Sequence, residues 1–245
     1  MRITLASRLL GLSLLLSALV AAAPLIALAA PAPLAELAVM LRAEGDHDLV
    51  LVSAVIPGSA RLPADIVVPV PSGAEIGWAG EILGTDPTKD IEASYTVTPG
   101  AGGWDTLSLR ATRSRRIQIE MAVPSVAGGG LAKTLDISLP VISTTGTASV
   151  TLQVPAGAVV TSGTPGLVKE PGEGGAQYYS TWANTARAGS VVRAAVTYET
   201  TSQPAVAAGG GSASATIMIV IAAVLFIVAL TVAVASRMRT RRGAG

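Results

Sequence analysis

Between Leu34 and Thr200 apolar residues recur at every second position in short runs, and glycine and proline clusters separate the runs. A strand turns successive side chains to opposite faces, so a period of two predicts antiparallel strands with one buried and one wet face. The clearest run is Val150-Thr151-Leu152-Gln153-Val154, with three apolar residues on one side and threonine and glutamine on the other. Ile91, Ala93, Tyr95 and Val97 alternate with Glu92, Ser94 and Thr96, and Ile117, Ile119, Met121 and Val123 with Gln118 and Glu120. No long segment of this region has the helical period.

The strands repeat. ADIVVPVPSGAEI (64 to 76) lies on ASVTLQVPAGAVV (148 to 160) without a gap and with five of thirteen positions identical. The buried phase is kept, since Ile66, Val68 and Val70 fall on Val150, Leu152 and Val154. At the same offset Tyr95 falls on Tyr179, and Leu107 to Ala111 falls within one residue on Val192 to Val196. Leu49 to Ile56 also corresponds to Leu135 to Ile142, and Leu37 to Leu41 to Ile117 to Met121. The expected fold is therefore all-β: two tandem immunoglobulin-like β-sandwich units, 31–115 and 116–200, of about six strands each. The boundary is placed near Arg115 and Arg116, with Gly128 to Gly130 as the competitor. The paired prolines of VPVPSGAEIGW do not recur, because Gln153 stands where Pro69 does. What recurs is a strand ended by Val-Pro-x-Gly-Ala, and Pro69 pointing outward in the first copy alone suggests an edge strand there.

The ends change the picture from fold to location. Residues 1–30 carry two arginines, a leucine-rich core and small residues including Ala27-Leu28-Ala29, the form of a secretory signal peptide. Ile217 to Ala235 is an uncharged run able to span about 28 Å as a helix, close to bilayer thickness. A transmembrane helix is expected over 216–236, after an uncharged linker at 201–215 and before a basic tail, 237–245. The four arginines of that tail place it on the cytoplasmic side. The summed charge of +1 hides this layout, because all 16 acidic residues lie between Glu36 and Glu199 against 11 basic ones. An acidic exported region argues against nucleic-acid binding. With no cysteine the region cannot use disulfides and relies on core burial. Arginine outnumbers lysine 14 to 3 beside abundant alanine and glycine, a composition that leans towards a bacterium with GC-rich coding.

Candidate chemistry is sparse. His47, the single histidine, sits in the turn EGDHD and reads as a solvated turn residue; no serine elbow or cysteine nucleophile accompanies it. Carboxylates gather only in GEILGTDPTKDIE, where Glu81, Asp86, Asp90 and Glu92 could supply oxygen ligands to Ca²⁺ or serve as a solvated loop. Arg110, Arg113, Arg115 and Arg116 form the one basic cluster of the exported part, suited to an anionic partner or to a solvated connection. Tyr178, Tyr179 and Trp182 are the best candidates for an exposed aromatic patch, although strand neighbours face opposite ways. The function expected is a non-enzymatic binding, adhesion or assembly module, single-pass in the plasma membrane with its β units outside. Its partner would be another envelope or membrane protein, and no cofactor is expected. The alternative is a carbohydrate- or Ca²⁺-dependent surface protein using residues 81–92 and the aromatics.

Overall fold

The alternating runs form strands in the computed structural model, which describes residues 31–44, 47–124 and 131–200. The expected signal peptide, linker, membrane span and tail lie outside those residues, and no helix among the described residues is long and apolar enough to cross a membrane. Fourteen strands follow in order: β1 (Leu34–Glu44), β2 (His47–Val55), β3 (Ala64–Pro71), β4 (Glu75–Glu81), β5 (Ile91–Glu92), β6 (Tyr95–Thr98), β7 (Trp104–Ala111), β8 (Arg116–Pro124), β9 (Ala132–Pro140), β10 (Thr145–Val154), β11 (Val159–Gly163), β12 (Val168–Pro171), β13 (Gln177–Ala186) and β14 (Val191–Glu199). The run Ile91 to Val97 is not one strand: Ile91 and Glu92 pair with β4, whereas Tyr95 to Thr98 pair with β7 in a different sheet.

Three sheets result. One has eight strands in the order β12-β13-β10-β1-β2-β8-β4-β5, and the others are β3-β7-β6 and β11-β14-β9. On the large sheet Leu37, Val39 and Leu41, Val50 and Val52, Ile117 and Ile119, and Val150 and Leu152 share one face by register. They join a single core with Ile66, Val68 and Leu107 from one small sheet and Leu135, Leu139 and Val196 from the other. The architecture is thus sandwich-like, with both small sheets stacked on the same side of the eight-stranded one.

A repeat is present, but its register differs from the one expected. The pairing β2-β8-β4 with β3-β7-β6 recurs as β9-β14-β11 with β10-β13-β12, antiparallel throughout. The offset that aligns β2, β3 and β4 with β9, β10 and β11 fails afterwards, because residues 82–94 join β4 to β6 whereas only 164–167 join β11 to β12. β6 therefore matches β12 rather than β13, and Tyr95 is not the counterpart of Tyr179. Nor does Arg115–Arg116 separate two sheets: β8 starts there and lies between β2 and β4. Strand β1, expected to match β8, falls outside the repeat. It pairs antiparallel with β2 and parallel with β10, and so welds the two sets of strands into one sheet.

The Val-Pro-x-Gly-Ala element behaves as expected. Ala74 N–H bonds Pro71 O at 3.2 Å and Ala158 N–H bonds Pro155 O at 3.3 Å, while Gly73 and Gly157 both have φ +76. These are turns with glycine at the position that requires positive φ, and each carries the chain from one sheet to the other. A Cβ at either glycine would meet nothing within 4 Å, so the cost of a side chain there is conformational alone. Gly73→Ala and Gly157→Ala are expected to cost about 1 kcal/mol each, read as a drop in melting temperature of about 3 °C per site.

Pro69 lies on an edge strand as expected, since β3 is bonded to β7 alone, but its side chain is buried and not exposed. Gln153, its counterpart, pairs with Arg42 of β1 on one side and Tyr178 of β13 on the other. The strand that lacks a donor is an edge, and the strand that keeps one is interior.

Candidate functional site

The acidic segment is built into the fold. Glu81 closes β4 and is buried. Its Oε1 accepts from the Thr112 N–H (2.9 Å) and hydroxyl (2.7 Å), and its Oε2 from the N–H groups of Arg113 (2.6 Å) and Ser114 (2.5 Å). Burial pushes this carboxyl up, but the hydrogen bonds from Ser114, Thr112 and Arg113 outweigh it and hold it below the ordinary range. Asp90 Oδ1 accepts from the Leu83 N–H at 2.8 Å. Asp86 caps a short 3-10 turn, Pro87–Lys89, accepts from the Thr88 hydroxyl at 2.6 Å and N–H at 3.1 Å, and pairs with Lys89 at 3.5 Å. Glu92 is exposed on β5. No group of three or more His, Asp or Glu side chains is placed to hold a metal ion among the described residues.

The arginines are not one patch. Arg110, on β7, pairs with Asp65 of β3 at 3.4 Å. Arg115 donates to the carbonyls of Pro57 (3.3 Å) and Ala60 (2.8 Å), so it fastens the β2–β3 connection. Arg113 and Arg116 are exposed, the latter opening β8. Of the aromatics, Tyr179 is corrected: it faces the core, its hydroxyl donating to Gln177 Oε1 at 2.9 Å. Tyr178 and Trp182, two and four positions from Ser180 and Tyr178 respectively in strand alternation, share the opposite face, where Trp182 is 39% exposed.

That face of the eight-stranded sheet is covered by no strand among the described residues, and at about 4.8 Å per strand it is about 34 Å wide. One row across it reads Tyr178, Gln153, Arg42, Leu49, Ala122, Glu75, and the next Ser180, Thr151, Met40, Leu51, Glu120, Trp78. Met40 and Leu51, 3% and 2% exposed, form a small apolar island with Leu49 and Tyr178, apart from the main core. Beside it Arg42, ion-paired with Glu44, keeps a buried Nε without a hydrogen bond, and the adjacent Gln153 leaves its Oε1 likewise unpartnered.

No protein-family model matches the chain, and no curated protein matches it.

Sequence reasoning missed a cleft of about 560 Å³ on this same face, lined by His47, Leu49, Glu75, Gly77, Glu120 and Ala122 among others. Burial pushes the Glu120 carboxyl up, partly offset by a 2.6 Å hydrogen bond from Gln118 Nε2. His47 Nε2 lies 3.7 Å from Glu44. The bulge between Ile76 and Trp78 puts Glu75 and Trp78 on one face despite their odd spacing, which strict alternation could not reveal.

Proposed function

We propose that the chain is an extracytoplasmic, membrane-anchored and non-enzymatic binding or assembly module, built from two immunoglobulin-like units fused edge to edge. In this reading 1–30 directs export, 216–236 anchors the protein, and the partner is another envelope or membrane protein. The observation that carries it is the face of the eight-stranded sheet that no strand covers among the described residues. A broad sheet face with Trp78 and Trp182 towards its two ends and polar side chains between them is a composition suited to a protein contact surface.

The reading through residues 81–92 has less support, because Glu81, Asp86 and Asp90 spend their oxygens on neighbouring backbone. The test is chemical cross-linking of the intact protein in mild detergent, with arginine placed at Ala38 or Ser149 in the uncovered face. Ser108→Arg and Thr134→Arg, on the outward faces of the small sheets, serve as controls. Loss of the cross-linked species with the first pair alone is expected. Retention with both pairs would remove the face from consideration.

A further inference from the structure

The repeat supplies an internal comparison between two equivalent edge strands, β6 and β12. Each is bonded on one side only, to β7 and β13 respectively. Exposed edges invite another strand, and proteins block them with inward charges and prolines. β12, Val168–Pro171, has both: Lys169 pairs with the inward Tyr179, its Nζ 5.8 Å from that ring, and Glu170 and Pro171 follow. β6, Tyr95–Thr98, lacks the charge: Val97 stands where Lys169 does, although Pro99 follows as Pro171 does in β12, and all four of its residues are exposed. Tyr95 and Val97 pair with the core residues Leu109 and Leu107, so they point to the core side. They are nevertheless 40% and 38% exposed.

We propose that β6 is a strand-addition site that takes an extended segment of a partner polypeptide. Only an extended chain can meet the alternating N–H and C=O groups of a strand edge. Its inward residues would be apolar, to cover Tyr95 and Val97. It would carry a lysine or arginine at one end, because the residues leading into β6 hold Asp86, Asp90 and Glu92 against Lys89 alone. The proposal rests on the reading of the chain as a binding module and names one route by which it binds.

The test uses the full chain in mild detergent and a short synthetic peptide of alternating valine and threonine led by one lysine. A version interrupted by proline is the control. The expected result is at least about tenfold slower amide exchange at residues 95–98 with the first peptide and none with the second. Val97→Lys, which copies the Lys169 device into β6 at an exposed position, should weaken binding about tenfold or more while the melting temperature holds. Unchanged binding by Val97→Lys, or protection elsewhere with 95–98 unprotected, overturns the site. In the second case binding through the uncovered face would still stand. A concentration-dependent dimer that protects 95–98 without peptide overturns it too, in favour of a second copy of this chain.

Discussion

A Gln153→Pro variant is expected to melt roughly 10 °C below the parent protein, from a loss of about 3 kcal/mol or more. β10 is an interior strand at this residue, paired with Arg42 of β1 and Tyr178 of β13. Whichever neighbour receives the residue 153 N–H, proline deletes a ladder bond in mid-sheet. The parallel β1–β10 pairing is also what joins the two sets of strands within the large sheet, so the damage falls on the seam. Two controls separate this cause from a general cost of substitution. Gln153→Thr keeps the donor and should stay within about 0.5 kcal/mol. Pro69→Val, which keeps an apolar side chain at the matching buried site of edge strand β3, should cost under about 1.5 kcal/mol. If Gln153→Pro melts within about 2 °C of the parent, residue 153 is not part of the seam.

This contrast was legible in part. That Pro69 marks an edge follows from the chemistry of proline, and the long strands follow from alternation, because each of them has one face in the core. Local turn chemistry was legible too: Gly73 and Gly157 share one geometry because the Val-Pro-x-Gly-Ala pattern needs nothing distant. What could not be read was pairing between remote segments. β1 resembles β8 in its apolar phase, and nothing local says that it bridges β2 and β10 instead of opening a second unit. The offset misled for a related reason. Tyr95 and Tyr179 align by number, but residues 82–94 have no counterpart of similar length, and sheet order alone reveals the slip. At the candidate site, alternation separates Tyr178 and Trp182 from Tyr179, whereas the orphaned Arg42 Nε and Gln153 Oε1 become neighbours only through the parallel pairing.

Glu81 illustrates the same limit and carries the other large effect. Among acidic neighbours in sequence it reads as a ligand or a solvated residue; its partners, Thr112 to Ser114, are more than thirty residues away in the chain. Glu81→Ala is expected to cost about 3 kcal/mol, since it strips acceptors from three backbone N–H groups and a hydroxyl in a partly buried turn. That turn joins β7 to β8 across the two layers, so urea unfolding should show a lower midpoint with an unchanged slope. The pH dependence has a definite sign. The folded-state carboxyl is held below its ordinary value, so its contribution is fully present above about pH 4.3 and is lost as pH falls through the lowered folded value. The stability gap between the parent and Glu81→Ala should therefore be constant from neutral pH to about pH 5 and narrow below about pH 4. A gap that stays constant to pH 2 would mean that the turn depends on the shape of the side chain and not on its charge.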